Sequence, residues 1–441
     1  MNPKNSIYFI LLTLSGYTFF ASCSAEDRRK EYAEQTGLDR WIDSIMRQDY
    51  YWYEDIPATS ELNYFDDADD FFDGLLSDDD DSYSTIEDLS ETEYSYGFEF
   101  KLYELSDTAY AAQILYVLPD SPASDAGLSR GDWITAMDGD SITDDNYTSL
   151  YRGDALELSV AQYSNGELGS SNTVQLGIAR SLTSDPIYYS KTFTWNGEEI
   201  GYLVYTHFTS GTDESDATYS NELLNLSNEF SGISEFILDL RYNSYGTSDC
   251  AQLLATILAP SSALGETFCT LKYNDKQSAQ TETKTFDTSL ISSGTNLNLK
   301  TLYVLTSSTT AGPAELLISA LQPYMTVIII GEDTGGKNVG LGTYTNEEYL
   351  WTIHPTICML YNAEEETNLS GFSADYEATE DEDNLNVSLG DTSELLLSTA
   401  LSVIDGSYST TTATAITKQT TFKVIANSLN RSNKVKGVVI K

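Results

Sequence analysis

The chain has 441 residues, enough for two or three domains each with its own core. Its 68 acidic and 23 basic residues give a formal charge of −45, which argues against nucleic acid and anionic membrane surfaces as partners, since either needs a basic face. The acid is concentrated: no Lys or Arg occurs between Arg47 and Lys101, and Asp78 to Asp81 form an unbroken run. That run reads as a solvated face, because the regular D-x-D-x-D-G spacing of a calcium loop is absent. His207 and His354 are the only histidines and neither has metal-ligand spacing, so no metal or other cofactor is expected, and a Ser-His-Asp mechanism has little to work with.

The first 22 residues carry Lys4, an apolar run from Ile7 to Phe20 and then small residues, the pattern of a secretory signal and too short for a membrane-spanning helix. Phe20-Ala21-Ser22-Cys23 resembles a bacterial lipobox, which implies lipidation at Cys23, with an ordinary signal peptide as the alternative. Membrane contact is then expected only through that anchor, on a lipoprotein of the bacterial outer membrane, facing the periplasm or the surface. The remaining cysteines, Cys250, Cys269 and Cys358, are odd in number and widely spaced, so they read as buried free thiols.

Residues 23–92 open with an amphipathic helical pattern whose apolar positions are Tyr32, Leu38, Trp41, Ile42, Ile45 and Met46. An aromatic stretch follows, from Tyr50-Tyr51-Trp52-Tyr53 to Phe71-Phe72, which suits the core of a small helical module better than a sugar site. Short strands take over across 93–182. There Ser95-Tyr96-Gly97-Phe98 precedes a β run, and Pro119, Ser121-Pro122-Ala123, Ala126-Gly127-Leu128, Gly131-Asp132 and Asp138-Gly139 follow in order. This series resembles a PDZ domain, a β-barrel-like module. The resemblance implies that Ser95 to Phe98 is the loop whose backbone amides hold a peptide carboxylate, with Ser95 in place of its first glycine.

From 186 to 407 strands alternate with helices, as in an α/β core. Strands are expected at Ile200 to Val204, Phe236 to Leu240, Leu302 to Leu305 and Thr326 to Ile330. Helices are expected at Leu223 to Phe230, Cys250 to Leu258, Pro313 to Leu321 and Asp391 to Ile404. The stretch 408–441 is rich in Ser and Thr and then basic, with Lys418, Lys423, Arg431, Lys434, Lys436 and Lys441 and no acid. It either docks on the acidic body or stays disordered.

Within the α/β region, Thr310-Ala311-Gly312-Pro313-Ala314-Glu315 is followed, 22 residues past the Glu, by Lys337 in Gly335-Gly336-Lys337-Asn338. Leu238-Asp239-Leu240-Arg241 and Leu389-Gly390-Asp391 flank the pair. Together these motifs resemble the C-terminal processing (tail-specific) serine peptidases. The resemblance implies a crotonase-like core with a spiral β-sheet, a serine nucleophile at position 312, and Lys337 as its base. It also implies an oxyanion loop at Ser244, Tyr245 and Gly246, and a Gln at position 341. The chain departs from that pattern: Gly312 has no side chain, Tyr245 replaces a glycine, and Leu341 replaces the Gln. Gly312-Pro313 with Glu315 is also an ordinary helix start. Gly331-x-x-x-x-Gly336-Lys337 is no nucleotide loop, because Asn338 follows and no helix pattern does.

The sequence thus reads as an α/β multidomain protein with a helical module, a PDZ domain and a degenerate peptidase core. It is expected to bind extended peptides or protein C-termini without efficient cleavage. An active Ser/Lys endopeptidase and a PDZ-mediated adaptor are the alternatives.

Overall fold

A computed structural model describes residues 25–409, except 81, 91–93, 108, 165 and 214, together with 422–431, 435 and 437–440. The signal stretch and Cys23 lie outside the described residues.

Helix α1 (Ala25–Asp49) presents Ile42 and Met46, one turn apart, to a small core. Helix α2 (Ala68–Asp73) adds Phe71 and Phe72, and Tyr50, Tyr64 and Leu75 close the cluster. The aromatic stretch is therefore packing. Strand β1 (Thr85–Asp88) completes this region. Within the acidic run Asp80 is buried, where its carboxylate accepts from Tyr50 Oη, Ser84 Oγ and the Ser84 amide, so the solvated-face reading fails at that residue. A buried carboxylate persists because three donors replace its water.

The next region is built from β2 (Phe98–Ser106), β3 (Ala109–Val117), helix α3 (Pro122–Asp125), β4 (Trp133–Met137), β5 (Asp140–Ser141), β6 (Leu156–Ala161), β7 (Tyr163–Ser164), β8 (Glu167–Leu168) and β9 (Asn172–Leu176). The chain then runs through β10 (Ile187–Trp195), β11 (Glu198–Tyr205), α4 (Thr218–Glu229), β12 (Glu235–Asp239), β13 (Tyr245–Thr247), α5 (Ser248–Leu258), β14 (Thr267–Tyr273), β15 (Glu282–Thr285), β16 (Thr301–Thr306), α6 (Pro313–Leu321) and β17 (Thr326–Gly331). It continues with β18 (Val339–Leu341), β19 (Tyr344–Asn346), β20 (Trp351–His354), β21 (Thr356–Tyr361), β22 (Tyr376–Glu377) and α7 (Leu395–Ile404). Two strands follow in the basic stretch, β23 (Lys423–Asn427) and β24 (Gly437–Val439).

Three larger sheets result. One has the order β10-β11-β12-β16-β17-β22 and is parallel from β11 onward. Its strands are apolar on both faces: Leu203, Leu238 and Val304 face one cluster with α4, α5 and α6, while Val204, Ile237 and Leu305 face another with α7. Parallel sheets need both faces covered, and these near-continuous apolar runs supply that. A second sheet, β13-β24-β18-β21-β14-β15, lies beside it. The third, β23-β2-β3-β4-β6-β9 with β5 on β4, is antiparallel. Strand β1 pairs with β20, which ties the helical region to the α/β core.

Of the two courses open to the basic stretch, its described residues from 422 onward take one: they dock. Strand β23 adds to the edge of β2, and β24 enters the second sheet between β13 and β18.

Candidate active site

The turn between β16 and α6 is a dense hydrogen-bonded knot. Thr310 Oγ1 donates to Leu240 O at 2.9 Å, Thr309 Oγ1 to Arg241 O at 2.9 Å, and Ser307 Oγ to Arg241 O. Ser308 Oγ reaches Glu332 at 3.3 Å. Each hydroxyl before Gly312 is thus committed to the end of β12 or of β17. The Ala311 amide donates to Asn243 O at 2.9 Å, which locks the turn to the oxyanion-loop candidate.

Gly312 caps α6 with φ +59° and ψ −117°, in a region that side-chain-bearing residues occupy only under strain. Its Cα faces the backbone of β24: a Cβ there would lie 2.8 Å from Gly437 Cα and C. Three residues on, the fully buried Glu315 gathers the site together. One carboxylate oxygen accepts from Thr334 Oγ1 (2.5 Å) and the Gly336 amide (2.7 Å), the other from the Lys337 amide (2.7 Å) and the Gly312 amide (3.1 Å). Burial pushes this carboxyl above its ordinary range, against the pull of those four donors. The sequence marks Glu315 as a helix-dipole partner; the structure adds its grip on the lysine loop.

Lys337 Nζ donates to Ser82 O at 2.9 Å and stands 5.3 Å from the centre of the Tyr83 ring. The amine is therefore seated against the segment before β1. Leu341 is buried against Tyr83, Val339 and Met359 and pairs with Val439 of β24. Ser244 O accepts from the Gly437 amide at 3.3 Å, and Tyr245 and Gly246 pair in parallel with Gly437 and Val438. The Tyr245 ring lies flat on His207, 5.1 Å between centroids and 7° between planes. Gly246 leaves no room for a side chain, since a Cβ would sit 2.3 Å from Phe208 O.

At the loop before β2, Ser95 exchanges backbone hydrogen bonds with Arg180, and its Oγ accepts from the Gly97 amide at 3.0 Å. That side chain occupies an amide which a glycine at 95 would leave open. Tyr96 Oη donates to Asp154 O, and Phe98 begins β2. Ser95 and Tyr245 line one cleft of about 1060 Å³, which Glu99, His207, Tyr242 and Arg431 also wall. The two candidate loops thus share a cavity. Gly312 and Lys337 meet at Glu315, behind β24.

Sequence reasoning missed a buried ionic network beneath the site. The Arg241 guanidinium, wholly buried, contacts Asp239 at 2.7 Å, Glu394 at 2.6 Å and Glu380 at 2.7 Å. Arg130, from the turn before β4, joins through Glu380 and Tyr242 Oη. Burial works to raise the Glu380 carboxyl, and the two guanidiniums overcome it, holding it well below the usual range. Leu-Asp-Leu-Arg marks Asp239 and Arg241 in sequence, whereas Arg130, Glu380 and Glu394 carry no local signal. Among the described residues, no group of three or more His, Cys, Asp or Glu could hold a metal ion.

Residues 37–85 match the peptidase S41 N-terminal domain and residues 199–378 match peptidase family S41. A solved S41 protease structure from Bacteroides fragilis is 38% identical, with a TM-score of 0.78 over 84% of this chain and 98% of that one. The chain belongs to peptidase family S41, and its architecture is the mixed α/β fold of that family with several sheets. Curated relatives include the carboxyl-terminal-processing protease of Synechocystis, 26% identical over 52% of this chain and 49% of the relative. Carboxyl-terminal-processing peptidase 1 of Arabidopsis thaliana chloroplasts is 24% identical over 56% of this chain and 48% of the relative. The chain spans about half the length of these curated relatives.

Proposed function

We propose that this chain is a non-cleaving member of its family, an exported lipoprotein that binds extended peptides or protein chain ends at the cell envelope. One observation carries the reading: the position that should present a nucleophile is Gly312, and the hydroxyls preceding it are tied to Leu240 O, Arg241 O and Glu332. Losing a serine nucleophile costs about 10⁶ in kcat in well-characterised serine proteases. A nucleophile borrowed from Thr310 would need the knot around it rebuilt, and reacting atoms must sit within about 3–3.5 Å to gain from proximity. The lysine amine, held by Ser82 O, is likewise turned to a structural partner.

In this reading the region around β2 to β9 is a PDZ-type module and the shared cleft is the peptide-binding space. The core below it is the crotonase-like body of the family. Ser95 blunts recognition of a terminal carboxylate, so binding rests more on the extended strand than on the chain end.

The test uses the mature protein with an unfolded substrate such as reduced casein, and a serine-reactive fluorophosphonate probe. Neither cleavage nor labelling above a Lys337→Ala control is expected. Gly312→Ser alone gains little, because Tyr245 and Leu341 remain and its Cβ meets Gly437. Robust wild-type cleavage that disappears in Lys337→Ala would overturn the non-cleaving reading. The anchor has its own test: Cys23→Ala should move the protein from the membrane fraction to the soluble fraction of a bacterial host. Unchanged membrane association would remove the lipid anchor from the proposal.

A further inference from the structure

In the basic segment, residues 423–431 and 437–440 follow the course that an extended peptide ligand would take. Strand β23 runs antiparallel along β2, pairing Lys423 with Glu104 and Asn427 with Lys101, and heads toward the Ser95–Phe98 loop. Ser428 Oγ then accepts from the Phe100 amide and donates to the Glu99 carboxylate. Arg431 meets the same carboxylate at 2.8 Å, with side chains only 15% and 11% exposed, and its guanidinium lies 4.8 Å over the Tyr151 ring. Beyond it Val435 packs on the Leu341 cluster, and β24 slots between the Tyr245 loop and the strand after Lys337.

The slot is specific in shape. A Cβ on Gly312 would lie 2.8 Å from Gly437 Cα, and Gly437, at φ +131°, could carry a Cβ only in a strained backbone and tight against Leu341 Cδ1 at 3.0 Å. Val438 is fully buried, and the Ile440 amide donates to Leu341 O at 2.9 Å. Among the described strands, β13 and β18 are joined only through β24. Between Lys418 and Lys441 the chain has six basic residues and no acid, on a molecule of formal charge −45. Charge opposition of this kind favours a docked segment and steers its return.

We infer that residues 423–440 are the resident ligand of the chain's own peptide track, a latch held in cis. The ligand class is an extended basic peptide with Ser-x-x-Arg read by Glu99, followed by a β-branched strand whose glycine faces Gly312. External peptides of that class enter only when the latch leaves. This inference rests on the peptide-binding reading above and names both its occupant and its control.

A site-specific protease sequence placed among residues 410–421 of the full chain allows cutting after folding. The probe is a fluorescent synthetic peptide of residues 423–440, followed by anisotropy and mass spectrometry. The cut chain should exchange its segment for the probe, the uncut chain at least about tenfold more slowly, since an intramolecular occupant competes at high effective concentration. A probe with Gly437 replaced by Val should fail to bind, and Glu99→Gln should weaken binding by about tenfold or more. In the uncut chain, Arg431→Glu should speed amide exchange at 437–440 and admit the probe, and Glu99→Lys added to it should restore protection. A cut chain that keeps its segment, with no exchange while natively folded, would show a fixed structural strand and overturn the inference. Equal binding of a scrambled probe would overturn it as well. A probe that binds and is then cut supports the assignment of the occupant but sinks the non-cleaving function, so the two ideas fail separately.

Discussion

At the scale of single residues, Gly312 shows what a position without a side chain makes possible. A serine there would hold φ near +59° at a strain of about 1–3 kcal/mol, which glycine avoids. Freed of a Cβ, the position admits a second backbone within van der Waals contact. His354 illustrates a different residue-scale effect. It is buried in a stretch of apolar neighbours, its Nδ1 pairs with Thr343 Oγ1 at 3.2 Å, and burial holds its pKa down to about 4. The unfolded chain titrates near 6.5, so between these values the unfolded state binds more protons. This contribution is complete above pH 6.5 and is lost as pH falls toward 4, in total about 3 kcal/mol at roughly 1.4 kcal/mol per pH unit. Glu87 Oε2, 4.0 Å away, softens the loss. Denaturant midpoints at pH 7 and pH 4.5 should therefore fall further for the wild type than for His354→Gln. Equal falls in both proteins would refute the assignment.

At the scale of elements, Glu315 makes the first turn of α6 and the loop before β18 into one unit. Its four donors come from positions 312, 334, 336 and 337, which no local interaction would otherwise align. Glu315→Gln keeps the shape but turns an acceptor into a donor against buried N–H groups. Leaving one such group unsatisfied costs about 1–3 kcal/mol. The expected result is a drop of that size in unfolding free energy, with faster amide exchange at Gly336 and Lys337 than in the rest of the chain. Unchanged exchange at those two amides would mean that the loop is held by something else. The helix boundaries also have local reasons. Pro313–Leu321 was legible because Gly, Pro and Glu mark its start. The helix expected from Asp391 begins instead at Leu395, because Glu394 is the N-cap, accepting from the Leu397 amide, while Asp391 holds a turn around Ser393. Helix α4 starts at Thr218, five residues before the expected Leu223, in a stretch with little apolar periodicity to announce it.

At the scale of the whole molecule, the buried ions beneath the turn join the antiparallel module to the α/β core. Two guanidiniums face Asp239, Glu380 and Glu394, with Tyr202 and Tyr242 hydroxyls bonded to the carboxylates. Arg241→Met leaves three buried carboxylates beside a single guanidinium. Breaking a buried charge pair in this way costs about 3–5 kcal/mol. Urea unfolding should register that loss, and Arg130→Met should chiefly loosen the module from the core. A change below about 1 kcal/mol for Arg241→Met would show that the network is neutral to stability.

The sequence by itself determined the alternation of strands and helices, the family and the helix start at Gly312-Pro313. Those depend on periodicity, on Gly and Pro at turns, and on spacings along one stretch of chain, all of which are local. Only the tertiary structure decided that Asp80 is buried, that Arg130 meets Glu380 across 250 positions, and that the basic stretch forms β23 and β24. Three residues such as Gly437–Val439 carry too little intrinsic preference to declare a strand. They become one because β13 and β18 pair with it, one on either side, and a β-strand gains its stability from its neighbours.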